Sequence, residues 1–250
     1  MCHLASSYLL QGLNVLYITL EMAEERIAER IDANLLDVTM EDLHDMPKQL
    51  YEGKISKLRE KTQGQLVIKE YPTASAHSGH FKSLMNELAL KKSFRPDVIF
   101  IDYLNICASS RFKGGNISSY FYVKAIAEEL RGLAVEFNVP IFSATQTTRT
   151  GYVSTDIGLE DTSESFGLPA TADFMFALIS NEELEALGQM KVKQLKNRYN
   201  DPSINRAFIV GVDRAKMRLY DVQQKVGDIV DANQVDEKED AYDKFSDFKL

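Results

Sequence analysis

The sequence has too few cysteines for a disulfide framework and no hydrophobic run long enough to cross a membrane. Cys2 and Cys107 are its only cysteines, so neither a disulfide-stapled fold nor a cysteine-based metal cluster is expected. No stretch approaches the roughly 20 apolar residues of a membrane span, and no secretory signal pattern precedes the first helical pattern. These absences predict a protein of the reducing cytoplasm with no membrane partner.

The net charge of −8 argues against a protein coated in nucleic acid, although a local basic surface is compatible with it. From Gln189 to Arg218, lysines and arginines outnumber acidic residues by eight to two. After Asp221 the chain becomes acidic and loses clear periodicity. We therefore predict one large folded domain over residues 1–221 and a flexible acidic tail over residues 222–250.

Short apolar segments alternate with amphipathic helical patterns through the first two thirds of the chain. Four of them predict buried strands, namely VLYITL, QLVIKEY, PDVIFIDYLNI and VPIFSATQ. This alternation predicts an α/β fold, in which a parallel sheet is covered by helices on both faces. Four later segments, ADFMFALIS, MKVKQLKN, RAFIVGV and MRLYDV, predict antiparallel strands at the C-terminal edge.

Three of the predicted parallel strands end in polar side chains: Glu21, Asp102 and Gln146. Taken singly, Glu21 is equally compatible with a turn or helix cap, and Gln146 with an ordinary loop. Asp102 lies within an apolar run and needs a partner or a metal to stay ionised. Together they suit an acid that activates water, an acid that holds Mg²⁺ and an amide that senses a phosphate.

The sequence contains no G-x-x-x-x-G-K-[ST], the loop whose amides and lysine hold nucleotide phosphates. The first helical pattern is already running at Met1 and shows no capping residue before it. The strand-end residues therefore stand in this sequence without the loop that would hold nucleotide phosphates.

The segments NVLYITLEM, PDVIFIDYLNI and VPIFSATQ, in this order and spacing, resemble the hexameric replicative helicases of the DnaB type, and among these the helicases of T4-type bacteriophages. The likeness continues through LEMAEERIAERIDANLLDV, VKAIAEELRGLAVE and GLPATADFM, so it covers nearly the whole chain. The resemblance implies a RecA-like ATPase core that uses ATP and Mg²⁺. It also implies that the P-loop should lie just before residue 1, so we expect these 250 residues alone to bind Mg·ATP weakly.

The resemblance implies a role for each strand-end residue. Glu21 matches the glutamate that polarises the attacking water, and Asp102 matches the Walker B acid that holds Mg²⁺ through water. Gln146 matches the residue that couples the γ-phosphate to the DNA-binding loops. Within KQLKNRYND, Lys196 and Arg198 match the basic pair inserted into the neighbouring subunit's site, the alternative being an exposed basic strand end.

In this family two loops line the DNA channel of the ring, and the matching segments here are residues 109–119 and 149–166. The first segment carries Arg111, Lys113, Gly114, Gly115 and Asn116, which suit contacts to phosphates without base readout. In the second, DTSESF replaces the usual Asp-Leu-Arg-Glu-Ser-Gly, so Ser163 stands in the place of the arginine. We expect Arg149, or the backbone around Ser163, Glu164 and Ser165, to contact DNA instead. For the first segment, the alternative is a plain mobile surface loop.

The resemblance therefore implies the motor domain of an ATP-dependent replicative DNA helicase that binds single-stranded DNA. It further implies a hexameric ring, primase and helicase-loader partners, and the host cytoplasm if the gene belongs to a phage. Two alternatives remain open: another ATPase of the same fold, of the recombinase or clock type, and a non-catalytic single-strand-binding or assembly module. His77 and His80 stand three residues apart, but a metal site there is not expected.

Overall fold

The computed structural model describes residues 1–112, 117–147, 158–159, 167–201 and 204–223. Its helices are α1 Cys2–Leu10, α2 Glu24–Leu36, α3 Met40–His44, α4 Lys48–Lys61, α5 Ser78–Lys92, α6 Ser119–Phe137, α7 Gly167–Thr171 and α8 Glu182–Ala186, with a 3₁₀ turn at Leu104–Ile106. Its strands are β1 Val15–Thr19, β2 Leu66–Glu70, β3 Val98–Asp102, β4 Ile141–Ser143, β5 Phe174–Ile179, β6 Gln189–Asn197, β7 Ala207–Asp213 and β8 Arg218–Asp221.

The first four strands form a parallel sheet in the order β2-β1-β3-β4, which confirms the predicted α/β class. Strand β1 lies between β2 and β3, and Val15 pairs with both Leu66 and Val98. All five residues of β1 are buried, as expected for a strand covered on both faces.

The two faces of the parallel sheet pack against different helices. On one face, the rings of Tyr17, Phe100 and Phe142 stack across β1, β3 and β4, and α1 and α2 cover them. On the other face, the core includes Ile18 and Ile101 of the sheet together with side chains from α5 and α6. The alternation of side chains along each strand thus supplies two separate apolar cores.

The remaining four strands form an antiparallel sheet in the order β5-β6-β7-β8. The sequence predicted these antiparallel strands at the C-terminal edge of the fold. In the structure they form a separate four-stranded sheet, which belongs to a second compact unit of the chain. In that unit Ala177 and Ile179 are buried against Leu195. The proposed boundary at residues 221 and 222 stays a prediction, because residues 224–250 lie outside the described chain.

Capping hydrogen bonds mark where helices α3 and α5 begin. Thr39 caps α3 by accepting a hydrogen bond from the N–H of Asp42 at 3.0 Å. Helix α5 begins at Ser78, because the Nδ1 of His77 caps it by accepting from the N–H of Gly79 at 3.0 Å. Within the described ranges, no helix is long and apolar enough to span a membrane.

Candidate functional site

The carboxyl ends of β1 and β3 lie side by side and bring the two predicted acids to one edge of the parallel sheet. Thr19, the last residue of β1, pairs with Asp102, the last residue of β3. The N–H of Leu20 then donates to the backbone oxygen of Asp102 at 2.9 Å. Glu21 follows directly and is exposed. The pairing of β1 with β3 therefore fixes the backbone from which both carboxylates project, and Glu21 is exposed to solvent.

The carboxylate of Asp102 is held by Tyr17, a partner that the sequence reasoning did not identify. The Tyr17 hydroxyl donates to Asp102 Oδ2 at 2.8 Å. Burial, together with the neighbouring Cys2 and Asp102, raises the pKa of Tyr17 far above its usual range, so the hydroxyl stays a donor. The ring reaches Asp102 because it stacks on Phe100, two residues earlier on the same face of β3.

Replacing Tyr17 with phenylalanine should lower the free energy of unfolding by about 1.5–3 kcal/mol, since a buried hydrogen bond to a charged group is lost. Chemical denaturation measures this loss. Tyr8→Phe is the matched control, because its ring also packs on Phe100 and Asp102 keeps its bond to Tyr17. An equal loss in both variants would contradict a specific role for the Tyr17 hydroxyl.

Gln146 lies at the same edge as the two acids. Strand β4 ends at Ser143, three residues earlier than the expected strand end, and the Ser143 hydroxyl donates to the backbone oxygen of Ile101 at 2.8 Å. The Gln146 side-chain amide then donates to the Tyr103 hydroxyl at 3.3 Å. Because β1, β3 and β4 are adjacent, the structure places Glu21, Asp102 and Gln146 at the carboxyl ends of three neighbouring strands.

Lys196 and Arg198 belong to the antiparallel unit. Lys196 lies on β6 opposite Met175, and Arg198 follows the end of that strand. The Arg198 guanidinium pairs with the Asp173 carboxylate at 2.9 Å. The backbone N–H of Arg198 donates to the backbone oxygen of Asp173, also at 2.9 Å. The guanidinium remains partly exposed, with 42% of the side chain accessible. This exposed ion pair is of the kind that contributes little to stability.

Of the residues predicted to contact DNA, Arg111 lies in the described chain. Its guanidinium pairs with Glu128 of α6 and is half exposed. The others, Lys113, Gly114, Gly115, Asn116, Arg149, Ser163 and Glu164, lie outside the described residues. Their roles stay predictions.

The two histidines singled out in the sequence serve as helix caps. His77 caps α5, and the N–H of His77 donates to His80 Nδ1 at 3.2 Å. Across the parts of the chain that the structure describes, no group of three or more His, Cys, Asp or Glu side chains is arranged to hold a metal ion. A site on Asp102 would therefore rely on water and phosphate for its other ligands, a pattern that Mg²⁺ accepts.

Comparison with known proteins identifies the family. Residues 1–215 match the family model of the DnaB-like helicase C-terminal domain. The chain belongs to the DnaB-like helicase family. This DnaB-like domain is 44% identical over 252 residues to the DnaB-like replicative helicase of Enterobacteria phage T4, an alignment that covers 98% of the chain and 53% of the relative. The predicted resemblance is confirmed.

Further relatives and solved structures agree with this assignment. A probable plasmid replicative DNA helicase of Chlamydia trachomatis is 35% identical over 138 residues, covering 53% of the chain and 28% of the relative. A solved DnaB-like replicative helicase, studied with primase, superposes with a TM-score of 0.71 at 16% identity, covering 89% of this chain and 54% of that one. A solved ATPase domain superposes with a TM-score of 0.70 at 17% identity, covering 88% of this chain and 78% of that one. These structures establish the RecA-like fold, and the DnaB-like chain spans about half the length of its phage relative.

Proposed function

We propose that this chain is the ATP-hydrolysing motor domain of a replicative DNA helicase. The observation that carries the proposal is that Glu21, Asp102 and Gln146 lie at the carboxyl ends of adjacent strands, at one edge of the parallel sheet in a DnaB-like domain. In open α/β sheets, ligands bind at the carboxyl ends of the strands. The location of the three side chains, their chemistry and the family of the chain therefore all support ATP hydrolysis at this edge.

The two acids suit different parts of phosphoryl transfer. Glu21 is exposed, so its carboxylate can accept a hydrogen bond from a water and orient that water for attack. Asp102 is half-buried and oriented by Tyr17, so it fits the acid that holds Mg²⁺ through a water ligand. Bound Mg²⁺ would neutralise charge on the phosphate oxygens.

Gln146 fits the role of a phosphate sensor. Its amide bonds to the Tyr103 hydroxyl, next to the proposed Mg²⁺-holding acid. It is exposed and lies just before the second proposed DNA-binding segment, residues 149–166. A change of its hydrogen-bond partner on hydrolysis would reach that segment through only a few residues of backbone.

Lys196 and Arg198 suit action in a neighbouring subunit of a ring. A guanidinium supplied to another subunit's phosphates neutralises charge that develops in the transition state. The exposed position of Arg198 beyond the end of β6 supports this role. We further propose the hexameric ring, primase and helicase-loader partners, and action in the cytoplasm.

Single-stranded DNA is the proposed nucleic-acid substrate. Arg111 offers an exposed guanidinium, and the neighbouring Lys113 to Asn116 would add a cation and backbone N–H groups. Arg149, Ser163 and Glu164 are the proposed contacts of the second segment.

Strand separation by the complete protein that carries this chain tests the proposal. We expect ATP-dependent unwinding of a forked duplex and ATP hydrolysis stimulated by single-stranded DNA. Hydrolysis with no strand separation on any forked substrate would favour a recombinase-type or clock-type ATPase instead. Binding of single-stranded DNA with no hydrolysis would favour the non-catalytic module.

A further inference from the structure

The carboxylate of Glu129, on the long helix α6, collects hydrogen bonds from the start of the first proposed DNA-binding segment. Its Oε1 accepts from the Ser109 hydroxyl at 2.6 Å, and both carboxylate oxygens lie 3.0 Å from the N–H of Ser110. Its Oε2 also accepts from the Ser78 hydroxyl of α5 at 2.8 Å, and the N–H of Arg111 lies 3.4 Å from Oε1. One side chain thus joins two helices to the segment.

The backbone on either side of Ser110 is also hydrogen-bonded, to Tyr122 of the same helix and to the anchored side chain of Ser109. The N–H of Ser109 donates to the Tyr122 hydroxyl at 3.1 Å, and the N–H of Arg111 donates to the Ser109 hydroxyl oxygen at 3.2 Å. Ser109 is 5% exposed, so its backbone N–H leaves water and needs a protein acceptor. Three consecutive N–H groups are therefore fixed relative to α6.

The charge of Glu129 makes this anchor strong at neutral pH. Partial burial by itself would raise the pKa of Glu129, but hydrogen bonds from Ser109, Ser110 and Ser78 outweigh burial and lower the pKa below its usual range. A carboxyl with a lowered pKa contributes stability above its unfolded pKa and loses it as the pH falls through the folded value. The Glu129 carboxyl is therefore ionised at neutral pH. Hydrogen bonds to an ionised acceptor are stronger than those between neutral groups.

The side chain of Arg111 is held differently from its backbone. Its guanidinium pairs with Glu128, the residue before Glu129, and 51% of the arginine side chain is exposed. Ion pairs between exposed side chains are weak and screened by salt. A phosphate can therefore take the place of Glu128 while the backbone of Arg111 stays where Glu129 holds it.

We propose that Glu129 is a positioning residue for single-stranded DNA binding, which fixes the backbone at Ser109–Arg111 so that the Arg111 guanidinium can pass from Glu128 to a DNA phosphate. This inference rests on the proposed function. Holding the backbone in advance removes an ordering cost that binding would otherwise include. The negative side chain thus promotes binding of a negative ligand.

Binding of an oligothymidine strand to the complete protein, measured by fluorescence anisotropy across a salt series, tests this role. Glu129→Gln exchanges one acceptor oxygen for an NH₂ that faces other donors, so the anchor should fail. We expect affinity to fall about tenfold and the slope of log affinity against log salt to shrink by about 0.7, the loss of one phosphate contact. Arg111→Ala should give the same two changes, and the double variant should be no weaker than either single variant.

Glu128→Gln is the matched control, since it makes the same chemical change one residue earlier on α6. It releases the Arg111 guanidinium but leaves the Glu129 bonds intact, so affinity should stay the same or rise. Amide hydrogen exchange at Ser110 and Arg111 should accelerate in Glu129→Gln and stay slow in Glu128→Gln. If Glu129→Gln does not fold, Ser109→Ala removes one of the anchored hydroxyls and should lower affinity and salt slope in the same direction.

The outcomes separate this inference from the proposed function. If Arg111→Ala binds DNA as tightly as the unaltered protein, the DNA-binding role of this segment is wrong, and the positioning role falls with it. If Arg111→Ala weakens binding while Glu129→Gln and Ser109→Ala do not, the positioning role is overturned and the segment still binds DNA. Additive losses in the double variant would also overturn it, because Glu129 would then act independently of Arg111.

Discussion

Replacing Glu21 with glutamine should reduce ATP hydrolysis by the complete protein about 10²–10⁴-fold while leaving nucleotide affinity nearly unchanged. Glutamine keeps the size of the exposed side chain at the end of β1, but it cannot accept a proton from the attacking water. Asp102 and its bond to Tyr17 should stay in place, so the residue proposed to hold Mg²⁺ through water would be unchanged. Steady-state hydrolysis and calorimetric binding of a slowly hydrolysed ATP analogue measure the two effects separately.

Glu25→Gln is the matched control for this prediction. Glu25 is also exposed and lies only four residues further on, in the first turn of α2. The control variant should hydrolyse ATP normally. Full activity in Glu21→Gln, or an equal defect in both variants, would contradict the assignment of Glu21 as the residue that orients the attacking water.

Replacing Arg198 with alanine should reduce turnover about 10³–10⁵-fold, because the guanidinium would no longer neutralise transition-state charge in the adjacent subunit. Nucleotide binding within one subunit should change little. The matched control is Asp173→Asn, which breaks the ion pair of Arg198 but keeps the guanidinium. A comparable loss of turnover in Asp173→Asn would indicate that the pair acts by stabilising the antiparallel sheet.

A mixing experiment tests whether Arg198 acts on a neighbouring subunit. The Glu21→Gln and Arg198→Ala proteins should each be nearly inactive alone. In mixed rings some interfaces join an intact Glu21 of one subunit to an intact Arg198 of the next, so hydrolysis should recover above the level of either variant. Absence of recovery, with mixed assembly confirmed by mass spectrometry, would count against action between subunits.

The sequence indicated that Glu21 and Asp102 lie near strand ends because each is a polar residue beside an apolar run, which is a local pattern. The structure ends β3 at Asp102 and β1 two residues before Glu21, and the roles of both acids stay predictions. Alternation of such runs with amphipathic helices also indicated the α/β class, and the family comparison confirms it. The exact ends of the strands were less predictable. Strand β4 stops at Ser143 although apolar and small residues continue to Ala144, because pairing with β3 ends there.

The partners of the site residues were not predictable from local patterns. Tyr17 and Asp102 are 85 residues apart, and their contact depends on the register between β1 and β3 and on the stacking of Tyr17 over Phe100. The only signal in the sequence was Tyr17 itself, a residue with a hydroxyl group inside a mainly apolar strand, on the same face of that strand as Thr19. Glu129 was less visible still, because an acid on an amphipathic helix normally faces solvent.

The sequence by itself determined the kind of protein: the apolar runs, the polar residues that end them, the missing phosphate-binding loop and the DnaB-like motifs are all readable along the chain. Only the tertiary structure decided the strand order, the placing of Glu21, Asp102 and Gln146 at the ends of adjacent strands, and the anchoring of Ser109–Arg111 by Glu129. The physical reason is that periodicity reports which side of an element is buried. The neighbour that an individual side chain contacts is set by strand register and close packing between distant parts of the chain.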